Sequence, residues 1–233
     1  MAPKVKGVIF DMDGLMFDTE ALSKKSWLVV GREMKLPITD EILHRVIGMN
    51  AARVEQECMA YFGPDFDYHR FRALAADYMS RSFDENGVPV KRGLRELLAF
   101  LRKNRYKTAV ASSSSRATVE HHLKATGLES YFDTLVCGDM VKQSKPAPDI
   151  FLKAAEALGV KPQNCLVLED SANGIRAAHA AGIPVIMVPD LIEPTNELRQ
   201  LAWMVCESLC DVLPVLEQQH TAELSGGEEQ TDG

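Results

Sequence analysis

The chain has 233 residues, 46% of them hydrophobic and 25% charged, a balance typical of soluble globular proteins and foreign to disordered, collagen-like or disulfide-scaffold chains. Its 33 acidic and 26 basic side chains give a formal net charge of −7, yet Glu217, Glu223, Glu228, Glu229 and Asp232 fall in a stretch without Lys or Arg, leaving 28 acids against 26 bases elsewhere. That near-balance supplies neither the basic stripe that nucleic acid requires nor a polybasic membrane anchor, so neither partner is expected.

In chain order, Met1 to Phe10 carries two lysines but meets Asp11 before any long apolar stretch forms. Neither a signal peptide nor a spanning helix is expected, and the cytoplasm is the default location. Val8-Ile9-Phe10 reads as a short buried strand stopped by the polar turn Asp11-Met12-Asp13-Gly14. From Asp18 to about Asn86 no strand pattern occurs. Leu43, Val46 and Ile47, then Phe71, Leu74, Ala75 and Tyr78, fall at helical spacings, and Pro37, Gly48, Gly63-Pro64 and Gly87 punctuate the stretch into roughly four helices.

Beyond Val88 the pattern alternates. Strand-like runs at Thr108–Ala111, Thr134–Cys137, Cys165–Leu168 and Pro184–Val188 are separated by helical periods such as Leu94, Leu97, Leu98, Leu101 and Phe151, Ala154, Ala155, Leu158. Alternation of this kind predicts an α/β fold, a Rossmann-like parallel sheet with helices on both faces, here with a small helical bundle inserted after the first strand. The expected divisions are a core over 1–17 and 88–216, the insertion over 18–87, and a disordered acidic tail over 217–233, where the apolar pattern stops. The five cysteines, Cys58, Cys137, Cys165, Cys206 and Cys210, include no C-x-x-C pair and read as reduced core thiols.

Three polar clusters each follow a strand: Asp11 and Asp13, then Ser112, then Glu169-Asp170. The carboxyl ends of parallel strands share one edge, where ligands bind. Each cluster also has a plainer reading. Asp-x-Asp-Gly is a common turn, a serine run is often an N-cap, and adjacent acids cap helices. Together they make an oxygen-rich site of the kind magnesium prefers. Lys145 precedes Pro146-Ala147-Pro148-Asp149, whose prolines are expected to hold an extended backbone and limit where its ammonium can reach. His121-His122 is not expected to bind metal, because adjacent helical residues do not share a face.

Asp11-Met12-Asp13-Gly14 with Asp18-Thr19, then Ser112, then Lys145-Pro146-Ala147-Pro148-Asp149-Ile150-Phe151, then Leu168-Glu169-Asp170-Ser171-Ala172-Asn173-Gly174-Ile175, resemble in order the four motifs of the haloacid dehalogenase superfamily. The likeness runs from Lys6 to about Pro189 and is closest to the phosphatase and β-phosphoglucomutase-like branch, which carries a helical cap after the first motif. It implies Asp11 as a nucleophile forming an aspartyl-phosphate and Asp13 as the acid and base. It further implies Mg²⁺ held by the Asp11 carboxylate, the Asp13 backbone carbonyl, Asp170 and Glu169, directly or through water. Ser112, Ser113 and Lys145 would bind phosphate.

True dehalogenases lack the second aspartate, and phosphonoacetaldehyde hydrolases carry alanine there, so Asp13 argues against both. Mutases of this branch use a basic pair around a glycine and a cap histidine to hold a second phosphate. Here Ile47 and Ala51 flank Gly48, and Ser23 takes the histidine position. The expected activity is therefore magnesium-dependent hydrolysis of a small phosphomonoester, a sugar phosphate or nucleotide-derived phosphate, by a monomer. A phosphomutase is the alternative, with Arg53 or Arg116 substituting for the missing charges. Glu20, Trp27, Met49 and Asn50 are candidate substrate contacts. A non-catalytic binding protein on the same fold would have lost one of Asp11, Asp13, Lys145 or Asp170, and all four are present.

Overall fold

A computed structural model describes residues 3–46, 51–191 and 193–226. The chain divides into two compact units, one of residues 1–16 and 90–233, the other of 17–89. The first carries β1 (Gly7–Phe10), α5 (Leu94–Lys103), β2 (Lys107–Ser112), α6 (Arg116–Thr126), β3 (Thr134–Cys137), α7 (Asp149–Leu158), β4 (Cys165–Glu169), α8 (Ala172–Ala180), β5 (Val185–Met187), α9 (Asn196–Leu201), β6 (Met204–Val205) and α10 (Leu209–Gly226). The second carries α1 (Thr19–Glu33), α2 (Asp40–Val46), α3 (Ala51–Phe62) and α4 (Tyr68–Asn86).

All six strands are parallel, in the order β3-β2-β1-β4-β5-β6. The sheet is Rossmann-like, with helices on both faces. Because side chains alternate along a strand, Ile9, Ala109, Ala111, Val136, Val167, Val185 and Met187 point to one face, where Ile150, Phe151 and Ala154 of α7 and Ile175, Ala177 and Ala178 of α8 pack on them. Both faces are covered, so the strands read as continuous apolar runs: every residue of β1 and β4 is buried. Chain order reverses direction between β1 and β4, and ligands collect at the carboxyl edge of such a switch point.

The helical unit has its own core. Trp27, Val30, Ile42, Leu43, Val54, Cys58, Phe66, Tyr68, Phe71 and Ala75 are buried together, with Trp27 edge-on to Phe71 at 4.9 Å between ring centroids. Each unit closes its own end of the two connections. Lys91 N donates to Met16 O at 2.9 Å in the sheet-bearing unit, and Asp18 N donates to Pro89 O at 2.9 Å in the helical one.

The structure departs from the sequence expectation at the C-terminal end of the sheet-bearing unit. β6 is too short for any strand signal. Helix α10 runs past Leu216 to Gly226, through residues expected to be a disordered tail. Leu209, Val212 and Leu216 bury one stripe of it, and one turn further His220 lies 6.2 Å from the Phe100 ring and 5.9 Å from the Tyr106 ring. Aromatic contact carries the helix beyond the last aliphatic anchor. All five cysteines are free. No helix among the described residues is long and apolar enough to cross a membrane.

Candidate active site

Asp11, Asp13, Ser112, Lys145, Glu169 and Asp170 all lie in the sheet-bearing unit, and all but Asp13 are buried. The sheet order explains why. β1 is flanked by β2 and β4, so the residues ending these two strands, Ser112 and Glu169, come to either side of Asp11. Asp11 N still bonds across to Leu168 O of β4 at 3.0 Å, which fixes the first residue beyond the strand. Gly14 then turns the chain at φ 85°, and a Cβ there would lie 2.3 Å from Asp170 Oδ2, so the close approach of this turn to Asp170 requires glycine.

Lys145 is the centre of the charge arrangement. Its Nζ donates to Asp11 Oδ1 and, at 2.7 Å, to Glu169 Oε1, and it stands 4.8 Å from the centroid of the buried Phe151 ring. The backbone that presents it is a tight turn, with Ala147 N donating to Ser144 O at 3.0 Å and a cis Lys145–Pro146 peptide, and not the extended segment the two prolines suggest.

The plainer readings of the polar clusters resolve individually. The N-cap of α8 is Ser171, whose Oγ accepts from Gly174 N at 3.1 Å, so neither Glu169 nor Asp170 is spent as a cap. Glu169 Oε2 instead accepts from Ser171 N at 2.6 Å. The N-cap of α6 is Ser115, accepting from Thr118 N at 3.3 Å. Ser112 Oγ accepts from Ser114 N at 3.0 Å, which leaves its own proton to donate elsewhere.

Oxygen atoms of Asp11, Glu169 and Asp170 lie within 4.8 Å of one another. Three buried carboxylates share this space with one ammonium. Burial pushes the Asp11 carboxyl up to about 8, Lys145 pulling it down and Glu169 and Asp13 adding to the rise. Burial also works against the charge on Lys145, but Asp11 and Glu169 more than offset that and hold the ammonium above its ordinary range. A site of hard oxygen donors with surplus negative charge fits a small divalent cation such as Mg²⁺.

Two residues missed by sequence reasoning belong to this neighbourhood. Ser114 Oγ donates to Asp13 Oδ2 at 2.8 Å. His122 is buried on α6 and feels the charge of Asp13, while burial, the larger influence, lowers its tendency to protonate. Its neighbour His121 is exposed, as expected of adjacent helical residues. Only the run Ser112–Ser115 hinted at Ser114, without telling the four serines apart.

The remaining candidates fall elsewhere. Trp27 packs in the core of the helical unit, edge-on to Phe71. Arg53 is exposed on α3. Arg116, also exposed, has its Nε paired with Glu120 at 2.7 Å. Ser23 lies in α1. Ile47, Gly48, Met49 and Asn50 lie outside the described residues, as do the side chains of Glu20 and Ala51.

Residues 8–188 match the family model described as haloacid dehalogenase-like hydrolase. A phosphorylated carbohydrates phosphatase of Thermotoga maritima is 34% identical over 179 residues, covering 77% of this chain and 82% of its own. A fructose-1-phosphate phosphatase of Escherichia coli is 33% identical over 190 residues, covering 81% and 98%. Among solved structures, β-phosphoglucomutase from Clostridium difficile matches with a TM-score of 0.77 over 95% of this chain and 99% of that one, at 23% identity, a likeness of fold.

Proposed function

The chain belongs to the haloacid dehalogenase-like hydrolases, as an enzyme of their phosphatase kind, and from that premise we propose that it hydrolyses a small phosphomonoester through a phosphoryl group carried on Asp11. The observation that carries this reading is the buried cluster in which Lys145 joins Asp11 to Glu169 beside Asp170. Both named phosphatase relatives act, by their names, on phosphorylated carbohydrates. A sugar phosphate or a nucleotide-derived sugar phosphate is accordingly the proposed substrate class. The helical unit is the proposed cap.

The Asp11, Asp170 and Glu169 carboxylates and the Asp13 backbone carbonyl would hold Mg²⁺, which when bound offsets the repulsion between a phosphate dianion and an ionised nucleophile. Lys145 contributes the same way with its own charge. Ser112 Oγ and the Ser113 N–H orient the phosphate oxygens. An Asp11 oxygen attacks phosphorus and the bond to the substrate oxygen breaks. The bonding pair leaves with that oxygen, which takes its proton from the Asp13 carboxyl. Water then attacks the phosphoryl group, Asp13 takes the water's proton, and the bond to Asp11 breaks to release phosphate and regenerate both carboxyl groups in their starting forms.

Hydrolysis is favoured over phosphoryl return because Ser23, Ile47 and Ala51 offer no positive charge to the second dianion of a sugar bisphosphate. A panel of phosphorylated sugars and nucleotides, assayed for free phosphate with and without glucose 1,6-bisphosphate, separates the two. The expected result is stoichiometric phosphate release, independent of bisphosphate, abolished by EDTA and restored by Mg²⁺. Isomerisation that needs the bisphosphate and releases no phosphate would assign a mutase, and full activity in metal-free buffer would remove the metal from the account.

A further inference from the structure

We propose that Ser114 is a positioning residue for Asp13, holding its Oδ2 so that the proton delivered to the leaving oxygen is carried on Oδ1. The inference rests on the phosphatase reading, in which Asp13 is the acid. Its geometric basis is independent of that reading. The Ser114 hydroxyl donates to Asp13 Oδ2 at 2.8 Å, joining the loop after β2 to the turn after β1 across 101 residues of sequence.

The backbone around Ser114 is held from both directions. Its N–H donates to Ser112 Oγ at 3.0 Å, and its carbonyl accepts from Gly138 N at 2.9 Å. Gly138 approaches so closely that a Cβ on it would lie 2.2 Å from the carbonyl oxygen of Ser113. The loop is thus clamped between Ser112 and the segment after β3, and the reach of the Ser114 hydroxyl is set before any substrate arrives. The four consecutive serines divide the work. Ser112 and Ser113 face the phosphate in the proposed reaction, Ser114 holds the acid, and Ser115 caps α6.

A carboxyl group that must transfer a proton along one direction gains from a fixed carboxylate plane, because proton transfer is effective only over hydrogen-bond distances and angles. The same hydrogen bond serves the second half of the reaction. When Asp13 has given up its proton, the hydroxyl is a charge-assisted donor to the carboxylate that will accept the proton of water.

This role has a chemical signature that a merely structural one lacks. A sugar alkoxide is a poor leaving group and needs the acid, whereas p-nitrophenolate leaves without a proton. In kcat/KM, which reports steps through departure of the first product, Ser114→Ala is expected to lose about 10- to 100-fold on a sugar phosphate, the scale of a hydrogen bond to a charged group. It should lose much less on p-nitrophenyl phosphate, and Ser114→Thr, which keeps the hydroxyl, should restore most of the loss. The ratio of the two kcat/KM values is independent of how much of the variant is folded. Asp13→Asn run on the same pair of substrates supplies the reference.

If Asp13→Asn discriminates between the substrates and Ser114→Ala loses equally on both, or on neither, the positioning role of Ser114 is overturned and the phosphatase reading stands. If Asp13→Asn itself does not discriminate, the acid role of Asp13 fails, and the role of Ser114 with it.

Discussion

Asp11→Asn is expected to lower phosphatase kcat/KM on the order of 10⁴-fold or more, since no other described side chain meets phosphorus in its place and loss of a covalent nucleophile has effects of that scale. The substitution is nearly isosteric, so phosphate binding by Ser112 and Lys145 persists while the attacking oxygen becomes a neutral amide. Its effect on stability should have the opposite sign. Three buried carboxylates compete for one ammonium, and burial already pushes Asp11 up to about 8. An amide there can never carry the charge the interior disfavours, and Lys145 keeps its 2.7 Å bond to Glu169. Thermal unfolding in EDTA should therefore show Asp11→Asn at least as stable as the parent, the usual trade between catalytic strain and stability. Activity within tenfold of the parent would remove Asp11 from the central role.

Lys145→Met is the converse case, expected to lose both activity and stability. The ammonium is buried and answers two carboxylates, one of them fully buried. Removing one member of a buried ion pair leaves its partners uncompensated and costs about 3–5 kcal/mol. Urea denaturation in EDTA should show a deficit of that size. Mg²⁺ should narrow it, because a divalent cation among Asp11, Glu169 and Asp170 supplies the missing charge. The activity loss, of about 10²–10³-fold, should remain in saturating Mg²⁺, because a charge aimed at the transferring phosphate is missing. A variant as stable as the parent in EDTA would mean that the carboxylates shed their charge by taking up protons once the ammonium is gone, and that Lys145 is not needed to balance them.

Much of this was legible in the sequence for identifiable reasons. Strands buried on both faces must be continuously apolar, so β1, β2, β3, β4 and β5 announce themselves, and the polar residues that end or follow β1, β2 and β4 mark the ligand edge. Asp11, Ser112 and Glu169-Asp170 were found in that way. What was not legible depends on tertiary neighbours. Nothing near Trp27 in sequence says that Phe71 will claim its ring. The fading aliphatic stripe argues for an end to α10 near Leu216 that Phe100 and Tyr106, more than a hundred residues earlier, overrule through His220. The division of labour among Ser112, Ser113, Ser114 and Ser115 is set by which backbone and side-chain groups stand opposite them, a property of the loop after β2 and of Gly138, not of the serines themselves.

The most direct test of the account is to look for the phosphoryl group on Asp11. The enzyme, mixed with a turning-over phosphorylated sugar and Mg²⁺, is quenched in acid, digested and mapped by mass spectrometry, with a parallel sample reduced by borohydride. The account predicts a phosphoryl adduct on the peptide containing Asp11, converted by borohydride to homoserine at that position and absent in Asp11→Asn. A fully active enzyme that never carries the adduct, and that releases phosphate with inverted configuration at phosphorus, would mean that water attacks the substrate directly and that Asp11 is not the nucleophile.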